Sequence, residues 1–263
     1  MRTTFAASGV RGSSRSGEIG GDARIALFLD VDGTLLDLAE RPDEVIVPPG
    51  LVTSLAAAQA KTDGALALVS GRVIADLDRL FQPLRFAASG VHGAELRLDP
   101  AGEAFVAPGA APLPPTLWSA LTDVLADLPG TFAENKRYSF AVHYREAPAV
   151  GDTLRARLAR LVETSLEPGV SMLEAHCAFE LKTQAFDKGR AVAGLLAEGR
   201  FKGRAPVFIG DDDTDEAGIA AANASGGSGY SVGRRRPGSR AVFASPNAVR
   251  RWLAAFAADG KSA

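Results

Sequence analysis

The sequence predicts an α/β fold: a doubly wound, mostly parallel sheet with an inserted α+β cap domain. Two apolar runs, Ile25–Leu29 and residues 65–69, flank a segment with helical periodicity, Leu51–Lys61, and so form a strand–helix–strand unit. A third apolar run, residues 206–210, resumes this pattern late in the chain. Because these runs are uninterrupted, we expect strands that are buried on both faces, as in a parallel sheet.

Length and composition are those of a globular protein with one or two domains. The chain has 263 residues, of which 46% are hydrophobic, and a net charge of −2. This charge gives no support for a nucleic-acid or anionic-membrane surface, and no apolar run reaches the ~18–20 residues of a membrane span. The single cysteine, Cys177, excludes an internal disulfide and a cysteine-based zinc site. A cytoplasmic protein is therefore the simplest interpretation, with no nucleic-acid or membrane partner, and a monomer is taken as the default.

Shifts in composition indicate the domain organisation. Residues 1–22 are rich in Ser, Gly and Arg, and we expect a disordered leader, with an organelle transit peptide as the alternative. Residues 100–115, rich in Pro, Ala and Gly, are typical of a linker. The α+β block beyond them interrupts the parallel pattern. We therefore predict a catalytic core over 23–107 and 184–263, and a cap over 108–183.

The remaining elements follow from periodicity within these domains. In the core, the pattern predicts a helix over 73–81, a short strand over 85–88 and a helix over 189–198. In the cap, it predicts helices over 116–128 and 150–165, and strands over 138–144, 170–174 and 177–182.

Two aspartates end the first predicted strand. Asp30 and Asp32 are two residues apart, so their carboxylates share a face at the carboxyl end of the strand, where α/β sheets bind ligands. Facing carboxylates repel each other unless a cation lies between them or one is protonated. A turn that merely ends the strand is the alternative interpretation, because Asp and Gly are ordinary turn residues.

A second acidic cluster follows the run at 206–210. Five acidic side chains occur within residues 211–216, and so much like charge costs stability without a cation. An EF-hand calcium loop beginning at Asp211 is excluded, because its sixth and twelfth positions would be Glu216 and Ala222 instead of Gly and Glu. A magnesium ion fits better, since it binds a few carboxylates together with water and substrate phosphate.

The pattern D-x-D-G-T over residues 30–34, after an apolar strand, resembles the first signature of haloacid-dehalogenase-type (HAD) phosphatases. The resemblance implies that Asp30 is the nucleophile that becomes phosphorylated and that Asp32 is the general acid and base. A carboxylate can attack an anionic phosphate only when a metal and a cationic side chain offset the repulsion. The predicted centre comprises the catalytic residues Asp30, Asp32, Ser70 and Lys188, the Mg²⁺ ligands Asp30, Asp32 and Asp211, and Asp212 and Asp215, which support the ligands.

Further motifs resemble the trehalose-6-phosphate phosphatases, in that family's order. They are S-G-R at 70–72, G-V-H-G-A-E at 90–95, H-Y-R at 143–145, K-G at 188–189 and G-D-D-D-T-D-E at 210–216. The resemblance covers about residues 25–252. It implies dephosphorylation of trehalose 6-phosphate with Mg²⁺, under a cap that closes over the disaccharide.

The resemblance also implies a set of substrate-binding residues: Gly71, Arg72, His92, Glu134, Lys136, Arg145, His176 and Glu180. Two positions depart from the family pattern, because His176 replaces a lysine and Thr183 replaces a proline. Glu acceptors with Lys and Arg donors suit an uncharged, hydroxyl-rich disaccharide. Without the resemblance we would favour solvated cap surface for these charged residues, and for His92 a structural role weighs equally.

Two other functions stay open on the sequence. One is the same chemistry on another sugar phosphate, such as sucrose 6-phosphate. The other is a module that binds phosphate or metal without turnover. The presence of Asp32 argues against such a module, since slow hydrolysis of the phosphorylated aspartate is expected where that residue is lost.

Overall fold

A computed structural model of the chain describes residues 24–39, 41–165, 167, 169–175 and 177–258. These residues form an eight-stranded, mostly parallel sheet and a separate four-stranded antiparallel sheet. The predicted α/β class with an added α+β unit is therefore confirmed. The predicted leader over 1–22 lies outside the described residues. Within them, every helix is too short or too polar to cross a membrane.

The large sheet and its helices, here called the core, come from both ends of the described chain. The elements of its first part are β1 (Ile25–Leu29), α1 (Leu51–Lys61), β2 (Leu66–Val69), α2 (Ile74–Leu80), β3 (Ala87–Gly90), β4 (Glu95–Arg97) and β5 (Phe105–Val106). Between the two parts lie α3 (Pro115–Leu125), β6 (Phe132–Asn135), β7 (Ser139–His143), α4 (Gly151–Thr164), β8 (Val170–Ala175) and β9 (Ala178–Thr183), here called the cap. The core then continues with α5 (Lys188–Leu196), β10 (Ala205–Gly210), α6 (Asp215–Ala224), β11 (Ser228–Val232), β12 (Ala241–Phe243) and α7 (Pro246–Ala258).

The core sheet has the strand order β12-β11-β10-β1-β2-β3-β4-β5. The strands from β12 to β3 are parallel, whereas β4 and β5 are antiparallel to their neighbours. The segment predicted as a linker over 100–115 contains β5, which extends the core sheet by one edge strand. Strands of two or three residues carry no readable alternation, which is why β4, β5 and β12 were not predicted.

The central strand β1 is buried on both faces, as its apolar sequence predicts. Leu27 and Leu29 pack in the cluster formed with α1, α2 and α7. Ala26 and Phe28 point the other way, toward α5 and α6, because side chains alternate along a strand. The Phe28 ring stacks on Phe201 with centroids 5.4 Å apart. Packing on both faces fixes β1 and hence the position of whatever follows it.

The register of the parallel strands brings distant sequence positions to one edge. Leu29 pairs with Ile209 of β10 on one side and with Leu68 of β2 on the other. Asp30 therefore lies beside the ends of both neighbouring strands. The loops that begin after β2 and β10 open onto the same crevice at the carboxyl edge of the sheet.

The cap presents an apolar face to its own helices and a polar face on the other side. Its strands run in the order β6-β7-β9-β8. Phe140 and Phe179 pack with α3 and α4 in a separate hydrophobic cluster. On the opposite face, Glu134, Ala141 and Glu180 lie in one row across β6, β7 and β9. That polar face lines the same pocket as the core crevice.

Candidate active site

A buried lysine links two carboxylates at the carboxyl edge of the core sheet. Lys188 Nζ donates to Asp30 Oδ1 at 2.8 Å and to Asp215 Oδ1 at 2.7 Å. The lysine is the first residue of α5, whose start is fixed by Asp187, the N-cap residue, which accepts from the backbone N–H of Arg190. All three linked side chains are at most 5% exposed. Buried charges of this kind are stable only as a balanced set.

Asp211 completes the acidic side of this cluster. One carboxylate oxygen from each of Asp30, Asp211 and Asp215 lies within 4.8 Å of the others. The Thr34 hydroxyl donates to Asp211 Oδ1 at 3.2 Å. Gly33 has φ +79°, and a side chain there would place its Cβ 2.2 Å from Asp211 Oδ2. The glycine of the first motif is therefore required for the close approach of the two acidic strand ends.

Burial dominates the electrostatics of these carboxylates. It raises the pKa of Asp30 to about 8, with Asp211 and Asp212 adding to the effect and Lys188 opposing it. It also raises the pKa of Asp211 to about 7, assisted by the charges of Asp215 and Asp212. Burial by itself lowers the pKa of Lys188, but its two carboxylate partners outweigh this and hold the pKa well above the ordinary value. One lysine thus faces an excess of acidic groups.

This donor set fits a hard divalent cation. Asp30 Oδ2 is buried and has no hydrogen-bond partner among the residues that the structure describes. Asp215 is a poorer ligand, because Lys188 donates to its Oδ1 while the backbone N–H groups of Asp211 and Asp212 donate to Oδ2 at 2.9 and 3.0 Å. Asp30 and Asp211 are therefore the carboxylates best placed to bind an ion, and carboxylate oxygens suit Mg²⁺.

Asp32 lies at the same edge but is held by a different partner. Arg72 Nε and Nη2 donate to its two carboxylate oxygens at 2.7 Å each. Arg72 is 8% exposed, whereas the Asp32 side chain is 31% exposed toward the pocket. The predicted role of Asp32 as a metal ligand stays a prediction. Ser70 is buried at the end of β2, and its hydroxyl oxygen accepts from the backbone N–H of Arg72 at 3.2 Å.

The predicted sugar-binding residues of the cap form a charged network that reaches the core. His92 Nε2 of the core donates to Glu180 Oε2 of the cap at 2.6 Å. The Lys136 ammonium lies 3.8 Å from Glu180 Oε1 and 4.0 Å from Glu134 Oε2. Burial by itself raises the pKa of Glu180, but the charges of His92 and Lys136 and the hydrogen bonds from His92 and Ser139 outweigh it. The pKa of Glu180 therefore lies well below its ordinary value.

Close packing next to Gly71 brings His92 against the core loop that follows β2. A Cβ at Gly71 would lie 2.5 Å from His92 Nε2, so only glycine admits the imidazole at this distance. His92 has φ +53°, and its Nδ1 is buried without a hydrogen-bond partner among the described residues. Such a conformation is uncommon outside glycine and is maintained only by surrounding contacts.

Arg145, another predicted sugar contact, lines the pocket and also contacts the core. Its Nη1 donates to the backbone carbonyl of Ala39, in the core loop after β1. Next to it, Arg41 Nη1 of the core pairs with Glu146 Oε1 of the cap at 3.2 Å. Arg145 and Glu146 therefore tie the cap to this core loop. His176 lies outside the described residues.

Sequence reasoning missed two residues that shape this site. Thr34 received no role, although it belongs to the first motif, and its hydroxyl donates to Asp211 Oδ1. Arg236 lies after β11, in a stretch for which no element was predicted, and it donates to the Asp211 backbone carbonyl. Only the pairing of β10 with β11 brings that stretch to the site.

Comparisons with known proteins identify relatives of this chain. The trehalose-phosphatase family model matches residues 28–242. The trehalose-6-phosphate phosphatase of Escherichia coli (strain K12) is 39% identical over 211 residues, which cover 80% of this chain and 78% of that protein.

Two solved structures share the fold at low identity. The C-terminal domain of the C. albicans trehalose-6-phosphate phosphatase superposes with a TM-score of 0.79 at 21% identity, covering 90% of this chain and 93% of that one. A Bacteroides thetaiotaomicron protein from a study of phosphatases of the haloalkanoate (HAD) enzyme superfamily gives a TM-score of 0.61 at 15% identity, covering 92% and 98%. Because the family model matches most of its length and a relative is 39% identical, the chain belongs to the trehalose-phosphatase family and is a phosphatase that hydrolyses a phosphoric monoester.

Proposed function

We propose that this protein hydrolyses trehalose 6-phosphate to trehalose and inorganic phosphate, with Mg²⁺, through a phosphorylated Asp30. The observation that carries the proposal is one shared pocket. Its core wall holds Asp30, Lys188 and Asp211, and its cap wall holds Glu134 and Glu180. Phosphate chemistry and sugar recognition therefore face the same space.

In the first step, the Asp30 carboxylate attacks phosphorus and forms an acyl phosphate, while the bond from phosphorus to the sugar oxygen breaks. Asp32, once it has left its two hydrogen bonds with Arg72 and taken up a proton, gives that proton to the departing sugar oxygen, so that trehalose leaves as a neutral alcohol. Lys188, 2.8 Å from Asp30, holds positive charge beside the transferring group. Ser70 lines the pocket and supplies a hydroxyl for a phosphate oxygen.

In the second step, a water molecule attacks the phosphorus of the acyl phosphate. Asp32, now ionised, takes a proton from that water, and the Asp30 carboxylate is released. Arg72 holds the Asp32 carboxylate on the pocket side of the strand end through two hydrogen bonds. Asp32 thereby returns to the protonated form required for the next turnover.

Asp30 and Asp211 would hold the divalent cation, whose chemistry is to neutralise phosphate charge while the carboxylate attacks. The unpaired Oδ2 of Asp30 and the raised pKa values of both carboxylates support this assignment, because a bound cation favours their ionised forms. Asp212 and Asp215 support the site from behind. The Asp212 carboxylate accepts from Thr214, and that of Asp215 accepts from Lys188.

The sugar hydroxyls would bind to three charged side chains on one face of the cap. Glu134 and Glu180 are the acceptors, and Lys136, which lies close to both, is the donor. Arg145 joins them from the β7 end of the pocket, and Gly71, Arg72 and His92 bound it on the core side. The cytoplasmic location, the monomeric state and the domain boundaries at 108 and 183 stay predictions.

The test is phosphate release from trehalose 6-phosphate and from sucrose 6-phosphate by the wild type, Asp30→Asn and Asp37→Asn. Asp37 is the matched control, since its side chain is 67% exposed, pairs with Arg250 and is not among the residues that line the pocket. We expect near-complete loss for Asp30→Asn, full activity for Asp37→Asn, and activity that EDTA removes and Mg²⁺ restores.

Two results would refute the proposal. Turnover of sucrose 6-phosphate alone would show that trehalose 6-phosphate is not the substrate, although the proposed chemistry at Asp30 would stand. Equal activity of Asp30→Asn and the wild type would show that Asp30 is not the nucleophile.

A further inference from the structure

Four of the five acidic side chains of residues 211–216, a segment here called the acidic loop, divide into two groups in the structure. The fifth, Asp212, accepts hydrogen bonds from Thr214 within the loop. Asp211 and Asp215 point inward to the cluster around Lys188. Asp213 and Glu216 point outward, where both pair with Arg236. The loop therefore carries its own counter-charge on the side away from the pocket.

Arg236 also makes a contact that charge balance alone does not require. Its Nε and Nη2 donate to the backbone carbonyl oxygen of Asp211 at 3.0 and 2.8 Å. The backbone N–H of Asp211 in turn donates to Asp215 Oδ2 at 2.9 Å. Side chains therefore hold both polar backbone groups of Asp211: Asp215 accepts from its N–H, and Arg236 donates to its carbonyl.

The position of Arg236 is itself well fixed. Its side chain is 7% exposed, and it begins a tight turn in which the Ser239 N–H donates to the Arg236 carbonyl at 3.1 Å. Gly238 in that turn has φ +75°, and the Ser239 hydroxyl donates to the same carbonyl at 2.7 Å. This turn follows β11, which pairs with the strand that carries the acidic loop.

We propose that Arg236 is a positioning residue that fixes the backbone of Asp211 and thereby sets the affinity of the site for a divalent cation. The inference rests on the proposed metal role of Asp211. Asp211 lies among like charges, and without this clamp only the Thr34 hydroxyl and the backbone hydrogen bond to Asp215 oppose a turn of the carboxylate away from Asp30. Residues that orient a metal ligand typically change metal affinity by about 10- to 100-fold when they are replaced.

A matched control separates the clamp from simple charge neutralisation. Arg234 Nη2 pairs with the same Asp213 Oδ1 at 3.0 Å, but this side chain is 68% exposed and donates to no backbone group of the acidic loop in the described structure. Arg234→Met and Arg236→Met therefore remove the same charge from the same neighbourhood. Only the second removes the donors to the Asp211 carbonyl.

The experiment is a titration of the full-length chain with Mn²⁺ alone, followed by electron paramagnetic resonance of the free ion, for the wild type and these variants. We expect Mn²⁺ affinity about 10-fold weaker in Arg236→Met and within about twofold of the wild type in Arg234→Met. Phosphatase activity of Arg236→Met should be lowest at limiting metal and largely recovered at saturating metal.

Arg236→Lys keeps the positive charge but cannot place two N–H groups on one carbonyl, so it should bind Mn²⁺ at least about threefold more weakly than the wild type. This variant carries the test if Arg236→Met does not fold, as judged by its thermal transition. If Arg236→Met or Arg236→Lys binds Mn²⁺ as tightly as the wild type, the inference about Arg236 is wrong, while the proposed metal site stands. Equal losses in the Arg234 and Arg236 methionine variants would reduce the effect to charge. A wild type that binds no Mn²⁺ would overturn the metal site and this inference together.

Discussion

Replacing Lys188 by methionine tests the charge balance on which the proposed mechanism depends. The ammonium is 3% exposed and lies 2.8 Å from Asp30 and 2.7 Å from Asp215. At an effective dielectric constant of about 20, such a pair is worth about 6 kcal/mol before the cost of desolvation when its carboxylate is ionised. Removing one partner of a buried pair typically costs about 3–5 kcal/mol, because the other charge is left uncompensated. We expect Lys188→Met to lower the free energy of unfolding by about 3–5 kcal/mol.

The double variant Lys188→Met/Asp215→Asn separates stability from catalysis. The introduced asparagine keeps an oxygen for the backbone N–H groups of residues 211 and 212 but removes one buried negative charge. We expect the double variant to recover about 0.5–3 kcal/mol of the lost stability. Activity should stay about 100- to 1,000-fold below the wild type, since the cation beside the transferring phosphate is still missing.

The assays are urea unfolding in EDTA, so that bound metal does not contribute, and phosphate release with Mg²⁺. Lys188→Met within about 1 kcal/mol of the wild type would show that the buried charges are not coupled as the geometry requires. Wild-type activity in the double variant would show that catalysis does not require Lys188.

Three further predictions concern the close approach at the proposed metal site and the cap. Gly33→Ala should lose most activity and stability, because its Cβ would clash with Asp211, whereas Gly50→Ala, with φ +82° and no atom within 4 Å, should cost only about 1 kcal/mol. Thermal melts and phosphate release compare the two, and equal effects would rule out the contact with Asp211. Glu180→Gln should raise KM for trehalose 6-phosphate about 10-fold or more, as expected for a lost charged contact to a hydroxyl, while Glu174→Gln on the neighbouring strand, 45% exposed, should not. The folded-state pKa of Glu180 lies below the ordinary 4.5, so its carboxylate stabilises the fold above that pH. The stability gap between the wild type and Glu180→Gln should therefore narrow as the pH falls below 4.5, and a gap that widens would contradict the assignment.

The buried strands and their acidic ends could be predicted from sequence because both depend on local pattern. The uninterrupted apolar run Ile25–Leu29 and the helix Leu51–Lys61 have the bounds that periodicity predicts. The side chains at the end of β1 follow from their distance in sequence, and Ser70 follows from the same rule on β2. The resemblance to family motifs added the proposed chemistry and the proposed sugar contacts.

Contacts between distant stretches were decided only by the tertiary structure. Sequence could place Asp30 and Asp32 together, but the fold pairs Asp32 with Arg72 and joins Asp30 to Lys188, 158 positions away in the chain. It also pairs Asp215 with Lys188 and both Asp213 and Glu216 with Arg236, which reaches the loop through the pairing of β10 with β11. Hydrophobic periodicity reports which face of an element is buried, whereas these pairings depend on strand order and register, which no single segment encodes.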